Sequence, residues 1–321
     1  MSARTIRVAV VGAGHMGSLH AKKVTELARA GEGIVLVGVV DLDIERARAV
    51  AQASGTLALA TDDSVATLAD AAIVAVPTSA HAAVTAPLLR AGLDVLLEKP
   101  IAARLEDAQE LIELARRHER ILQVGHLERF NAALRHVRER IDRPRFVEAH
   151  RLGPFPGRAT DVDVVRDLMI HDLDLLQHLL GEEPERIDAI GVPVLSREID
   201  IANARLVYPG GCVANLTASR VSGTPLRKLR IFQASGYLSI DLLEQTAVAF
   251  QRHEDSAGCP PRIEMEKLEI GREDALLAQL RSFVEAVRTR AEPAVTGEDA
   301  LRTLRTALRV VAAMLPLDRL R

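Results

Sequence analysis

Residues 6–17 read IRVAVVGAGHMG and set the architecture of the first half of the chain. The β-branched run Ile6–Val11 ends at three glycines, after which a helical pattern begins. Gly12 permits a tight turn, Gly14 lets the backbone approach a pyrophosphate, and Gly17 allows the helix to pack closely on the strand. The N-terminus of that helix offers N–H groups to anionic oxygens. The stretch therefore predicts a strand, a glycine turn and a helix that together bind a dinucleotide.

An acidic residue at the end of the next strand strengthens this prediction. The apolar run 34–40 ends in Asp41, roughly 20 residues after the last glycine. A carboxylate at that point accepts hydrogen bonds from a ribose 2′-hydroxyl and repels a 2′-phosphate. The pattern favours NAD over NADP as the cofactor. The alternative, glycines that only form a turn, does not account for the whole unit.

The composition is that of a globular protein with two domains. The chain has 321 residues, of which 48% are hydrophobic and 26% charged, and its net charge is −3. Basic and acidic residues are interspersed, so we expect no nucleic-acid partner. Apolar runs stay shorter than about 18 residues and no signal-peptide pattern is present, so we expect no membrane partner and a cytoplasmic location. Cys212 and Cys259 lack ligand spacing, and no metal site is predicted.

Strands and helices alternate through the first half. After the second strand, helical patterns at 44–52, 81–91 and 105–117 alternate with strand runs at 57–60, 71–76, 94–97 and 121–124. This order predicts an α/β domain, a doubly wound parallel Rossmann sheet over residues 1–123. Ligands on such a sheet lie beyond the carboxyl ends of its strands, so the turns that follow the strands should form one rim.

The second half has a different pattern. A strand-like run at 145–152 and a helical run at 163–180 are followed by seven strand-like runs between 186 and 270 and by helices near 273–290 and 298–314. Runs of strands followed by helices predict an α+β domain over 124–321, with a large, mostly antiparallel open sheet.

Lys99 is a candidate catalytic residue because it directly follows an apolar strand. Pro100 prevents a normal helix start, so the charge of Lys99 is held in a partly desolvated loop. An ammonium group in such a place usually meets an anion or a reacting hydroxyl. The alternative is a surface lysine in a salt bridge.

A histidine between two aspartates is the second candidate. On the predicted 163–180 helix, His171 follows Asp167 by four residues and precedes Asp174 by three, so the three side chains are expected on one face. A carboxylate beside an imidazole fixes its tautomer and raises its basicity, which suits a general base. The alternative is a salt-bridged surface histidine.

Several motifs together resemble those of the Gfo/Idh/MocA oxidoreductase family. They are the glycine turn with Asp41, Val76-Pro77-Thr78 with His81, Glu98-Lys99-Pro100, Gly125-His126 with Arg129-Phe130-Asn131, and Asp167-Leu168-Met169-Ile170-His171-Asp172-Leu173-Asp174. The order and separation of Glu-Lys-Pro and D-x-x-x-H are more specific than the glycines. The resemblance covers both predicted domains and implies an NAD-dependent dehydrogenase with a substrate-binding and oligomerisation domain.

The resemblance also implies residue roles. His171 would take a proton from a substrate hydroxyl while hydride leaves for the nicotinamide, Lys99 would stabilise the oxygen and Asp167 would orient the site; whether Lys99 or His171 accepts the proton stays open. The implied cofactor-binding residues are Gly12, Gly14, His15, Met16, Gly17, Asp41, Pro77, Thr78, His81, Glu98, Lys99, Pro100 and Gln123. The implied substrate-binding residues are Lys99, His126, Arg129, Asn131, Arg158, Arg166, Asp167 and His171.

Within the family, residues 124–131 (VGHLERFN) and 167–176 (DLMIHDLDLL) look most like the branch that includes UDP-N-acetylglucosamine 3-dehydrogenases, whose 3-keto products are transaminated on the route to amide-linked lipid A. The absence of paired glycines before Asp167 favours that branch. Arg129, Arg151, Arg158 and Arg166 are candidates to bind a diphosphate, or are solvated surface residues. The alternative substrates are a free sugar, an inositol or a cyclitol, and the alternative of another class is a dinucleotide-binding regulator. The family also implies a homodimer or homotetramer formed through the open sheet.

Overall fold

The computed structural model describes residues 4–60, 62–155, 162–253 and 262–314. They divide between two units. The first unit comprises Met1–Leu127 and Asp274–Leu301, and the second comprises Glu128–Glu273 and Arg302–Arg321.

The first unit contains a five-stranded parallel sheet. Its strands are β1 (Ile6–Val11), β2 (Ile34–Val40), β3 (Ala71–Val74), β4 (Asp94–Leu97) and β5 (Leu122–Val124), in the order β2-β1-β3-β4-β5. The helices between them are α1 (His15–Arg29), α2 (Ile44–Ser54), α3 (Asp62–Leu68), α4 (His81–Arg90) and α5 (Leu105–Arg117). This confirms the predicted Rossmann sheet. The strand predicted at 57–60 is only one bridge, between Val39 and Ala58.

The second unit contains an eight-stranded sheet. Its strands are β6 (Phe146–Leu152), β7 (Arg186–Val192), β8 (Ile201–Val207), β9 (Val213–Ser219), β10 (Leu226–Gln233), β11 (Gly236–Asp241), β12 (Thr246–His253) and β13 (Arg262–Leu268). Their order is β13-β12-β11-β10-β6-β9-β8-β7, and neighbours are antiparallel except β6 and β9. The helical segments before β7 are α6 (Ala132–Val137), a π-helical turn (Val165–Met169) and α7 (Ile170–Leu180). The predicted large, mostly antiparallel sheet is confirmed.

Alternation along the strands separates the two faces of this sheet. In β6 every second residue is buried, and Val147 and Ala149 join a core that includes Leu173 and Leu176 of α7. The residues between them belong to the opposite face. One face is therefore covered by helices of the same unit.

The C-terminal helices are α8 (Ala275–Thr289) and α9 (Gly297–Ala313). Leu280, Phe283 and Val284 of α8 join the core formed by Ile6 and Val8 of β1. The observed division therefore differs from the predicted one at residue 123, because α8 lies in the first unit although it follows the whole second sheet. The apolar face of a helix shows in the sequence, but its partner does not. No helix among the described residues is long and apolar enough to cross a membrane.

Truncating Phe283 to alanine should destabilise the first unit. Its side chain is buried in the core beside β1. We expect a loss of about 3–5 kcal/mol in the free energy of unfolding, from lost burial and the cavity left behind. Urea denaturation measures it. Glu285→Ala, on the exposed side of α8, should stay within about 0.5 kcal/mol, and equal losses in the two variants would contradict the assignment of α8 to this core.

Candidate active site

The three glycines after β1 have different surroundings. Gly12 has φ +97°, and a Cβ there would lie 2.6 Å from the carbonyl oxygen of Ala75. A Cβ on Gly17 would lie 1.7 Å from the carbonyl oxygen of Gly12. A Cβ on Gly14 would meet no described atom within 4 Å, and no side chain caps α1 at this residue. The fold requires the first and third glycines, while the middle one faces space that a ligand can use.

Asp41 is fixed against this turn. One carboxylate oxygen, Oδ2, accepts a hydrogen bond from the N–H of Ala13 at 2.7 Å, and Oδ1 accepts one from the N–H of Asp43 at 2.9 Å. A guanidinium nitrogen of Arg46 lies 3.8 Å from Oδ1. The carboxylate predicted to meet a ribose is thus next to the glycine turn. His15, exposed, and Met16, partly exposed, lie on the first turn of α1.

The segment Glu98-Lys99-Pro100 follows β4 and contains a cis peptide bond before Pro100. Glu98 Oε1 lies 2.8 Å from Nε2 of His20, and Oε2 accepts a hydrogen bond from the Lys99 N–H at 3.3 Å. Burial alone would raise the pKa of Glu98, but the hydrogen bond and charge of His20, with the charge of Lys99, hold it below its ordinary value. Glu98 is therefore ionised at neutral pH.

His81 contacts the loops that follow β3 and β4. Its Nδ1 lies 2.7 Å from the carbonyl oxygen of Pro100, and its Nε2 lies 3.0 Å from that of Val76. Burial holds the pKa of His81 below its ordinary value, against the two carbonyl oxygens, which favour the charged ring. The ring lies between the loops after β3 and β4. His81, predicted to contact the cofactor, is therefore buried between these loops. Pro77 is exposed and Thr78 is partly exposed.

Gln123 and His126, at the end of β5, are also buried. The Nε2 of Gln123 donates to the carbonyl oxygen of Gln279 on α8 at 3.3 Å. The structure therefore places both predicted binding residues beneath the rim of the first unit, not on its surface.

In the second unit, Asp167 lies in the π-helical turn and His171 lies at the start of α7. Both side chains are partly exposed. Asp163 caps the turn by accepting from the N–H groups of Val165 and Arg166. Single π turns occur often at functional sites, because they change the direction of one side chain within a helix.

Asp174, which the spacing predicts on one face with His171, lies three residues after it on α7. It is buried and binds Arg129 through two parallel hydrogen bonds, Nε to Oδ2 at 2.8 Å and Nη2 to Oδ1 at 2.7 Å. The Arg129 and Asp174 side chains are only 5% and 1% exposed. Arg129 is therefore held in a structural pair, not at the surface where a diphosphate would bind.

Arg151 is held in the same way. It donates to both carboxylate oxygens of Asp172 and to Oε1 of Glu128, the last at 2.7 Å. Burial disfavours its charge, but the two carboxylates hold the pKa of Arg151 above its ordinary value. Arg151 thus belongs to the interior of the second unit. Removing one member of a buried pair costs about 3–5 kcal/mol, so such residues maintain the fold.

The other predicted substrate residues differ in their placement. The Asn131 side chain is buried and caps α6 by accepting from the N–H of Ala133. Arg166 keeps 31% of its side chain exposed and binds Asp163 through Nε at 2.5 Å. Arg158 lies outside the described residues. Among the predicted substrate residues of the second unit that the structure describes, Asp167, His171 and Arg166 retain access to solvent.

The described residues hold no group of three or more His, Cys, Asp or Glu placed to bind a metal ion. Burial, helped by the charge of Glu182, raises the pKa of the Cys212 thiol to about 11, so it is unreactive at neutral pH. Cys259 lies outside the described residues.

The sequence did not assign His20, Glu128 and Asp172 to these clusters. His20 and Glu98 are 78 residues apart, and Arg151 and Glu128 are 23 apart. Helical spacing identifies only partners on the same helix. The available signal was weaker: His20 lies on the inner face of α1, where a buried polar group needs a partner.

Comparisons with known proteins match both units. Residues 6–126 match the model of an oxidoreductase family with an NAD-binding Rossmann fold, and residues 132–239 match that of the GFO/IDH/MocA C-terminal domain. UDP-N-acetylglucosamine 3-dehydrogenase of Acidithiobacillus ferrooxidans is 36% identical over 310 residues, which cover 96% of this chain and 97% of that protein. Myo-inositol 2-dehydrogenase of Thermotoga maritima is 26% identical over 323 residues, covering 93% of each chain.

Solved structures agree with these matches. A structure of the Acidithiobacillus ferrooxidans UDP-N-acetylglucosamine 3-dehydrogenase gives a TM-score of 0.90 at 36% identity, covering 96% of this chain and 97% of that one. Scyllo-inositol dehydrogenase from Lactobacillus casei, with bound NAD(H) and scyllo-inositol, gives 0.79 at 20% identity with 97% of each chain covered. The second match shows the shared fold alone.

Alanine at Gly12 should mainly lower stability, whereas alanine at Gly14 should mainly weaken dinucleotide binding. Gly12→Ala should lower the free energy of unfolding by more than about 1 kcal/mol, because a positive φ and the Ala75 carbonyl oppose a side chain. Gly14→Ala should cost only about 0.5–1 kcal/mol, because alanine is a poorer N-cap residue than glycine but meets no other atom here. It should weaken dinucleotide binding on the order of tenfold or more, because the methyl group fills the space that the pyrophosphate needs.

Urea denaturation and titration by NADH fluorescence separate the two effects. Wild-type NADH affinity in the Gly14→Ala protein would show that the dinucleotide does not approach this turn.

Proposed function

Since this chain belongs to the Gfo/Idh/MocA oxidoreductase family, we propose that it is an NAD-dependent dehydrogenase that oxidises UDP-N-acetylglucosamine to its 3-keto form. The observation that carries the substrate is the full-length similarity to UDP-N-acetylglucosamine 3-dehydrogenase, which is higher than the similarity to the inositol 2-dehydrogenase. The ketone would then suit a transamination on the route to amide-linked lipid A.

The residues of the first unit fit a dinucleotide. The open space beside Gly14 and the first turn of α1, which no side chain caps, suit a pyrophosphate. Asp41 supports NAD as the preferred cofactor, because its carboxylate would repel a 2′-phosphate and could accept from a 2′-hydroxyl. Arg46 is close to Asp41 but is shared with Asp43, so its one positive charge is outweighed by the two carboxylates and the cluster stays negative.

We assign the proton transfer to His171. In the proposed reaction the imidazole accepts the hydroxyl proton, while the Lys99 ammonium donates a hydrogen bond to the same oxygen and stabilises its developing negative charge. Asp167, four residues before His171 and partly exposed like it, would orient the imidazole and the substrate. A bound NAD would supply the acceptor for the hydride that leaves the carbinol carbon. Arg166 is the described arginine of the second unit that we propose for the diphosphate of the substrate.

A free sugar or an inositol is the second candidate substrate. The similarity to myo-inositol 2-dehydrogenase over 93% of the chain supports it. The buried Arg129 and Arg151 favour neither candidate, because both arginines are engaged within the second unit. Measuring which of these compounds supports reduction of NAD distinguishes the two candidates.

The purified protein with NAD should reduce the cofactor when offered UDP-N-acetylglucosamine, measured as absorbance of NADH. A ketone trap or a coupled aminotransferase must be present, because oxidation of an unactivated secondary alcohol has a poor equilibrium. Free N-acetylglucosamine, other UDP-sugars and inositols form the panel. The His171→Ala protein should lose turnover by a factor on the order of 10²–10⁴ while its NADH affinity stays unchanged.

Lys99→Ala is the matched test of oxygen stabilisation, and His178→Ala is the control for histidine loss on the same helix. A signal with free polyols alone would replace UDP-N-acetylglucosamine by the second candidate. NADH binding without turnover across the whole panel would favour the dinucleotide-binding regulator. Wild-type turnover in the His171→Ala protein would contradict its role as base.

We also propose that the second unit forms a homodimer or homotetramer through the sheet face opposite α7. Four aromatic side chains form one cross-strand row on this face, in the order Phe146, Phe232, Tyr237 and Phe250. The centroids of consecutive rings are 5.6, 5.0 and 4.1 Å apart. The chain has only six Phe, two Tyr and no Trp, so half of its aromatic rings are in this row. Such a concentration is typical of an interface core.

Glutamate at Tyr237 should disrupt this interface, because it would bury a charge among stacked rings. Light scattering after size exclusion should show an oligomer for wild type and a smaller species for Tyr237→Glu at micromolar concentration. Leu57→Glu, an apolar-to-acidic change at an exposed position of the first unit, should leave the mass unchanged. A monomeric wild type would contradict the proposal.

A further inference from the structure

His20 and Glu98 form a buried pair within the first unit. The Nε2 of His20 lies 2.8 Å from Oε1 of Glu98, and the side chains are 0% and 12% exposed. His20 is on the inner face of α1, and Glu98 directly follows β4. The pair therefore joins the helix that begins at the glycine turn to the segment that carries Lys99.

The geometry defines the proton in this pair. The Nδ1 of His20 is buried and has no hydrogen-bond partner among the described residues. The ionised carboxylate of Glu98 can only accept hydrogen bonds, so the Nε2 atom of His20 carries a proton. The Nε2–H then donates to the Glu98 carboxylate. Such a hydrogen bond to a charged acceptor is stronger than one between neutral groups.

The second oxygen of Glu98 is also held. Oε2 accepts from the backbone N–H of Lys99. A Cβ on Gly125 would lie 3.1 Å from this oxygen, so the turn after β5 packs directly against the carboxylate. The carboxylate thus has one fixed contact to α1, one to the Lys99 backbone and one to the turn after β5.

From these contacts we infer that His20 and Glu98 are positioning residues that hold Lys99 in a fixed place relative to the dinucleotide-binding end of α1. The inference rests on the proposed function for the role of Lys99. Because a helix is stiff over two turns, the His20 side chain and the Gly14 end of α1 move together. Lys99 is then in position before a dinucleotide binds at the glycine turn. In this role neither His20 nor Glu98 touches a reacting atom.

Three variants test the inference in the full chain. His20→Phe keeps the ring volume and removes the donor, His20→Gln keeps an N–H donor, and Glu98→Gln keeps the shape but removes the charge. We expect His20→Phe and Glu98→Gln to lower kcat on the order of 10²-fold, since a small misplacement of a catalytic group has effects of this size. His20→Gln should recover most of the loss. KM for the sugar nucleotide and NADH affinity should stay within about twofold, which a loss of folding would not produce.

A second readout needs no sugar substrate. Acetylation of Lys99 by a lysine-selective reagent, followed by peptide mass spectrometry, should be faster in His20→Phe than in wild type, because the segment is released. Lys22, exposed on α1, is the internal reference and should react equally in both proteins. Thermal unfolding shows whether each variant remains folded.

The two readouts keep this inference separate from the proposed function. Unchanged kcat together with unchanged Lys99 acetylation in the folded His20→Phe and Glu98→Gln proteins overturns the inference. So does a loss of activity that His20→Gln fails to recover. If wild type oxidises none of the offered sugars but Lys99 acetylation still responds to His20→Phe, the positioning pair stands and the proposed substrate falls.

Discussion

The close approach of α1 to the glycine turn is the contact on which the first unit depends. A Cβ at Gly17 would overlap the carbonyl oxygen of Gly12, so this helix lies as near to the turn as main-chain atoms permit. The same inner face of α1 carries His20, which meets Glu98 and through it the backbone of Lys99. The absence of a side chain at Gly17 therefore contributes to the position of Lys99, which is distant in sequence.

The second unit depends on charge burial instead. Two neighbouring aspartates of α7, Asp172 and Asp174, point inward to Arg151 and Arg129. Desolvation of such charges is expensive, and only two-pronged hydrogen bonding offsets it. An arrangement of this kind tolerates little rotation of the helix, because either aspartate would lose a bond. The partly exposed His171 is one residue before Asp172, so its orientation is fixed together with that of the helix.

Much of the fold follows from the sequence because buried strands and amphipathic helices leave local patterns. The strands β1, β2 and β4 and the helix α5 coincide with their predicted residues, and the glycine turn and Asp41 meet as expected. What the sequence does not show is the partner of a side chain. Arginine is usually exposed, so nothing local identified Arg129 as buried or as the partner of Asp174. The π-helical turn that holds Asp167 has no sequence signature either.

The place of α8 has a consequence for how the protein is made. Most of the first unit is complete in sequence at Leu127, yet part of its core comes from Phe283 and its neighbours in α8. During synthesis the surface of the parallel sheet that α8 covers stays exposed while the ribosome adds the whole eight-stranded sheet. Domains usually fold as they emerge, N-terminal first. Here the first unit stays incomplete until α8 has been made, and the second unit stays incomplete until Ala307 and Val310 of α9 join its core, so neither unit can finish before the C-terminal helices are translated.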